Sequence, residues 1–191
     1  ADALDKNRVS IISANKTDLD NGTKNGMSDS IKDRLLLNDK RIDDIIASIN
    51  LVVSQTDPIG EEISGWKTPN GLTIRQVRVP LGVVGIIYEN RPNVTVDAFC
   101  LAYKSGNSIL LRGSASSYNS NKEIVRIIKQ ALSECENGVP DAIELVEVRE
   151  HDHSDVDQIL NAVGLIDVVL PRGGKKLISN VVMNAKVPVI E

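Results

Sequence analysis

Two loops, each between a strand-like and a helix-like segment, carry the residue types best suited to holding an anion. Arg112-Gly113-Ser114-Ala115-Ser116-Ser117 follows a short apolar run and precedes a helical pattern. Its backbone amides and hydroxyls can therefore reach a phosphate or a ribose, although an ordinary helix start would look much the same. Pro171-Arg172-Gly173-Gly174 is the second such loop. Paired glycines let backbone approach a bulky anion closely, and the helix beyond offers free amides; a tight turn that merely needs two glycines is the other reading. His151-Asp152-His153 resembles a metal-binding tract only in composition, and two histidines in an acidic loop are expected to be solvated. No metal site is expected. Cys100 and Cys135 lie in separate helices outside any metal-ligand spacing, and both read as reduced, structurally ordinary thiols away from an exposed turn.

These loops need a scaffold, and Pro80 to Gly113 supplies its repeating piece. Val83, Val84, Ile86 and Ile87 form a nearly continuous apolar run, as in a parallel strand buried on both faces. Tyr88 to Asn93 is polar and contains Pro92, so the chain turns there, with Asn93 as the expected helix cap. Val94, Ala98, Leu101 and Ala102 recur at helical spacing up to Ser105-Gly106, where Gly106 is the expected left-handed stop. Ile109 to Leu111 is the next strand. A right-handed crossover leaves Glu89-Asn90-Arg91 at the carboxyl end of the first strand, where open α/β sheets place their ligands.

The alternation continues. Ser120-Asn121-Lys122-Glu123 has the capping-box form and precedes a stripe of Ile124, Ile127, Ile128, Ala131 and Leu132. Ala142 to Val148 is a strand, Ser154 and Asp157 open a helix, and Asp167 to Leu170 is a strand leading into Pro171. Leu177 to Ala185 is a helix, and Val187 to Ile190 a last strand at the end of the sequence. Upstream, Ala1 to Lys16 is helical, and Asn21-Gly22 and Asn25-Gly26 read as loops. Ile31, Leu35 and Leu36 form one helical stripe. Asn38-Asp39 starts another helix, whose Ile42, Ile45, Ile46, Ile49 and Val53 suit a helix covering the sheet. Between them Thr68-Pro69-Asn70-Gly71 marks a hairpin, with Trp66 either an interface anchor or packed on its own domain. The expected organisation is an N-terminal helical part over 1–57, a projecting β-hairpin over 58–79 and an α/β core over 80–191. The fold class is a Rossmann-like open parallel sheet with helices on both faces.

Apolar residues are 41% and charged residues 25% of the chain, which excludes disorder. A net charge of -4 without a basic cluster, and 3% aromatics, argue against nucleic acid. No segment approaches the roughly 20 apolar residues of a membrane span, so a cytoplasmic protein is expected.

Pro80-Leu81-Gly82-Val83-Val84-Gly85-Ile86-Ile87-Tyr88-Glu89-Asn90-Arg91-Pro92-Asn93, with Lys104 to Asn107, Leu111 to Gly113, Asp167 to Gly174 and Val187-Pro188-Val189-Ile190-Glu191, closely resembles the γ-glutamyl phosphate reductases. These enzymes, also called glutamate-5-semialdehyde dehydrogenases, belong to the aldehyde dehydrogenase superfamily and act in proline biosynthesis. The resemblance runs over nearly the whole chain. It implies an aldehyde dehydrogenase-like cofactor domain, a γ-glutamyl phosphate substrate and a homo-oligomer with the hairpin at its contacts. It further implies a possible functional link to glutamate 5-kinase.

By the same resemblance, Arg112, Gly113, Ser114 and Ser116 face the cofactor's ribose, and Pro171, Arg172, Gly173 and Gly174 its pyrophosphate and nicotinamide half. Relatives carry a glutamate where this chain has Ser116. Ser116 removes its repulsion of a 2′-phosphate and Arg112 can add attraction, which implies NADP (NADPH) as the cofactor. Asn90 stands where many aldehyde dehydrogenases carry an asparagine that donates to the developing oxyanion, a contact worth roughly 3 kcal/mol; an Asx turn before Pro92 is its other role. Arg91 pairs either with the substrate's carboxylate or phosphate, or with Glu89 or Asp97. The family's chemistry also needs a thiolate to take the acyl group, in a Cys-Asn-Ala segment that these residues lack. The sequence is therefore expected to be a fragment shortened at both ends, inactive alone. A non-catalytic binding or regulatory module, and another acylating aldehyde dehydrogenase, are the alternatives.

Overall fold

The computed structural model describes residues 1–148 and 154–191; His151-Asp152-His153 lies outside them. Four parallel strands form the central sheet: β3 (Val83–Tyr88), β4 (Ser108–Arg112), β5 (Ile143–Leu145) and β6 (Val168–Arg172), in the order β5-β4-β3-β6. β1 (Glu62–Lys67) and β2 (Thr73–Val77) form a separate antiparallel hairpin. Helices α5 (Asn93–Lys104), α6 (Tyr118–Ser133), α7 (Ser154–Leu160) and α8 (Lys175–Asn184) fill the crossovers.

Strand alternation divides the core between two faces. Tyr88, Ile109 and Leu111 pack with Val96, Ile124 and Ile128 of α5 and α6. Ile87 and Val169 pack on the other side with Val156, Leu160 and Val181 of α7 and α8. Helices therefore cover both faces, as expected. The chain runs outward from β3 through β4 to β5, then crosses back to pair β6 with β3. The switch point is thus between β3 and β6, where crevices open at the carboxyl ends of such sheets.

The N-terminal helices α1 (Asp2–Lys6), α2 (Arg8–Lys24), α3 (Asp29–Leu35) and α4 (Asp39–Ser54) lie outside α5 and α6. Asn38 caps α4 by accepting from the Arg41 amide, as expected. The apolar stripe of α4, however, covers α5 rather than the sheet, and Val53 stays exposed. Asn21-Gly22 lies inside α2 instead of in a loop. Gly22 is buried there because Met27 folds back against it, at a distance a Cβ would not allow, and the turn comes at Gly26 with φ +72°.

Four further expectations are corrected. Asn93 is the first residue of α5 and not its cap; its amide reaches Asp97 inside the helix. Ser120 sits inside α6 and not at its cap, since α6 continues directly from a 3-10 turn over Ala115–Ser117 whose cap is Ser114. The last strand is reduced to a parallel bridge between Val169 and Val189. Ala142 to Val148 supplies only the three residues of β5. Gly106 has φ +74°, the left-handed stop expected after α5. In the hairpin Trp66 remains 53% exposed, so it is only partly packed on its own chain.

Candidate functional site

The two anion-suited loops and Asn90 meet at the carboxyl edge of β4, β3 and β6. The first loop is shaped from beneath by a buried chain of hydrogen bonds. The Tyr88 hydroxyl lies 2.7 Å from Thr95 Oγ1, which donates to Asn121 Oδ1 at 3.0 Å. The threonine proton is spent there, so Tyr88 is the donor. Asn121 Nδ2 donates to Ser117 Oγ at 3.1 Å, and Ser117 Oγ to the Ser114 carbonyl at 3.1 Å. Thr95, Asn121 and Ser117 are fully buried. Burial, opposed only in part by Thr95, pushes the Tyr88 phenol well above its ordinary pKa, so it serves as a fixed donor. Gly113 is a glycine because of this packing: a Cβ there would lie 2.3 Å from Asn121 Nδ2 and 3.1 Å from the Tyr88 ring.

The same loop reaches Asn90. Ser114 Oγ is 2.5 Å from Ser116 Oγ and accepts from the Ser116 amide at 3.2 Å. Ser116 Oγ in turn donates to Asn90 Oδ1. The Asn90 carbonyl end is therefore held by Ser116 rather than by a local Asx turn, and its amide NH2 is left to donate elsewhere. Ser116 is spent on Asn90 in this arrangement and not turned toward solvent.

Arg112 is 8% exposed and already paired: Nε donates to Asp155 Oδ2 at 2.7 Å and Nη2 to Oδ1 at 3.2 Å. It ties β4 to α7 and is no free cation for a phosphate. At the second loop Gly174 precedes α8, and its amide donates to Glu89 Oε2 at 3.1 Å. The anion at this helix start is thus a side chain of the protein. A Cβ at Gly173 would lie 2.8 Å from both Glu89 Cδ and Leu177 Cδ2, so a larger residue there would push the Glu89 carboxylate or the Leu177 side chain aside.

Two cavities flank Glu89. One, about 420 Å³, is lined by Arg112, Ser114 and Ala115 on one side and by Lys176, Leu177 and Asn180 of α8 on the other. The second, about 480 Å³, holds Asn90, Arg91, Pro171, Arg172, Gly173 and Gly174, together with Arg34 from α3. All the predicted site residues except Gly113 and Ser116 therefore line one or the other, and those two shape the loop between them. From the sequence Glu89 is placed with Asn90 and Arg91 at the ligand end of the strand but without a role, and its hold on the Gly174 amide appears only in the fold. Arg34 is missed, because nothing local marks it.

Neither cysteine enters these cavities. Cys100 is in α5, and burial pushes its thiol up to about 11, with a smaller push from Asp97. Cys135 is exposed in the turn after α6, not within the helix as expected, at the opposite end of that helix from the loop. Among the described residues no cluster of His, Cys, Asp and Glu could hold a metal ion, and no helix is long and apolar enough to cross a membrane.

No protein-family model matches the chain. It is 50% identical over all 191 residues to a curated γ-glutamyl phosphate reductase of Dictyoglomus turgidum, of which it covers 45%. The crystal structure of the γ-glutamyl phosphate reductase of Thermotoga maritima superimposes on it with a TM-score of 0.95 at 46% identity, covering 100% of this chain and 45% of that one. An acetylating aldehyde dehydrogenase of Geobacillus thermoglucosidasius matches in fold, with a TM-score of 0.66 at 17% identity over 98% of this chain and 40% of that one. The chain thus spans about 45% of the length of the reductases it matches.

Proposed function

Because the chain belongs over its whole length to the γ-glutamyl phosphate reductase family, we propose that it forms the nicotinamide-binding part of an enzyme that reduces γ-glutamyl phosphate to glutamate-5-semialdehyde, releasing phosphate, in proline biosynthesis. The observation that carries this reading is the meeting of both anion-suited loops with Asn90 at the β3/β6 switch point.

The residues fit a dinucleotide. The cleft between the Ser114 side and α8 is about 420 Å³, and the Gly173-Gly174 backbone lies open to an anion that displaces Glu89 from the helix start. Gly113, Ser114 and Ser116 shape the ribose side, while the backbone at Pro171, Gly173 and Gly174 faces the pyrophosphate and nicotinamide half and leaves the Arg172 side chain free for a second anion. The preference for NADP rests on Ser116, which places no carboxylate against a 2′-phosphate. Lys176 lines the same cavity and has no ion-pair partner among the described residues. Arg112 contributes indirectly, by holding the loop's strand through Asp155. When bound, the cofactor supplies the hydride. The protein's own part is to orient the Asn90 amide by way of Ser116 so that it donates to the acyl oxygen as charge develops there. The thiolate that takes the acyl group comes from outside these residues, since Cys100 is held protonated in a helix and Cys135 lies at the far edge.

Titration of the purified chain with NADPH, followed by energy transfer from Trp66 or by the nicotinamide fluorescence, checks the cofactor assignment. Saturable binding, tighter than for NADH and weakened by Lys176→Glu, is expected. Equal affinity for the two cofactors would remove NADP, and absence of binding to either would remove the reading.

A further inference from the structure

Nine arginines lie among the described residues. Six are engaged by carboxylates: Arg8, Arg41, Arg75, Arg78, Arg112 and Arg126. The remaining three, Arg34, Arg91 and Arg172, have no ion pair among the described residues, and all three line the same cavity of about 480 Å³. In a chain with 22 basic and 26 acidic residues, this is not a by-product of general basicity. Three unpaired guanidiniums around one cavity repel each other, and a bound multivalent anion reverses the sign of that interaction. Guanidinium forks match phosphate oxygens in geometry.

The fold fixes the segment that carries Arg34. Arg34 is carried by the end of α3, and that end is pinned twice. The buried Asn15 donates to the Leu35 carbonyl at 2.8 Å and accepts from the Leu37 amide at 2.7 Å. Arg41 donates to the Leu36 carbonyl at 2.9 Å and to Asp33 Oδ1 at 2.8 Å. Arg34 and Arg91 also border a neighbouring cavity of about 380 Å³ that contains Asp33, Asp44 and Asp97. Asp33 is committed to Arg41 and Asp97 to Ser48 and Asn93, and Asp44 makes no ion pair with either arginine among the described residues. Within the larger cavity, Glu89 is likewise committed to the Gly174 amide, and Glu191, the other carboxylate that lines it, makes no ion pair with any of the three arginines among the described residues.

We propose that Arg34, Arg91 and Arg172 form a phosphoryl-binding site beside Asn90, which holds the phosphoryl group of an acyl phosphate or the inorganic phosphate released from it. The assignment to substrate rather than cofactor rests on the function proposed above; the anion site itself does not. The N-terminal helices then contribute a substrate contact, in addition to their role as scaffold.

The test is inorganic phosphate titrated into the purified chain in phosphate-free buffer, followed by amide chemical shifts, with and without saturating NADP. Saturable binding is expected, weakened about tenfold or more by Arg34→Gln and by Arg91→Gln, partly restored by Arg34→Lys, and persisting when NADP is added. Arg126→Gln removes the same charge from an ion-paired position and is expected to leave the affinity unchanged. Three results overturn the proposal: no saturable binding, an equal loss in Arg126→Gln, or displacement of phosphate by NADP, which would give the site to the cofactor. Failure of the chain to bind NADP would instead count against the functional reading and leave the phosphate titration to be read on its own.

Discussion

Asn90 shows how far residue type alone carries. Its place at the end of a strand marks it as facing the crevice, and the resemblance suggests a donor role. Which end of its amide is presented depends on Ser116, 26 residues away. Arg112 is the opposite case: its type and position suggest a phosphate ligand, but Asp155, 43 residues on, takes its charge into a largely buried pair. Neither partnership could be read locally, because the partner arrives only when β3, β4 and α7 assemble. The thiols give a prediction at this scale. With its pKa pushed up to about 11, Cys100 holds roughly one thiolate in a thousand at pH 8. Folded protein treated with iodoacetamide at pH 8 is therefore expected to lose Cys135 at least about tenfold faster than Cys100, with Cys100 gaining as pH rises toward 11. Equal rates would mean that α5 opens often enough to expose its thiol.

At the scale of elements, periodic stripes proved the more reliable signal. Most apolar positions of α4, α5, α6 and α8 were legible because 3.6-residue spacing is a local property, although Val53, Leu101 and Val182 of those stripes stay exposed. Cap chemistry was less so. The start of α6 carries Ser120 and Glu123 at capping-box spacing, yet its amides are served by Asp18 of α2, which is 2% exposed. Asp18 Oδ2 accepts from the Ser120 amide at 2.8 Å and Ser120 Oγ at 2.6 Å, and Oδ1 accepts from Asn119 Nδ2 at 2.8 Å. A negative charge at a helix start is favourable, and this one also joins the N-terminal helices to the helix behind the first loop. Asp18→Ala leaves those buried donors unmet and is expected to cost about 3 kcal/mol, seen as a lower urea midpoint at an unchanged slope. A loss below about 1 kcal/mol would mean that water replaces the carboxylate.

At the scale of the whole molecule, alternation of strands and helices was enough to anticipate an open parallel sheet, whose order β5-β4-β3-β6 reverses direction once, between β5 and β6. What the alternation could not supply is the way α3 reaches over the edge of the sheet to bring Arg34 beside Asn90, because that depends on Asn15 and Arg41 fixing a turn far from either. The hairpin projects with Ile63, Trp66, Leu72 and Val77 largely exposed, as the sequence suggested. The most direct measurement uses the polypeptide as its gene encodes it: reduction of NADP, and separately of NAD, with glutamate-5-semialdehyde as substrate, in the presence and absence of inorganic phosphate. Turnover that requires phosphate and prefers NADP is expected. NADP binding without turnover would contradict it, leaving a chain that kept the crevice but not the reaction.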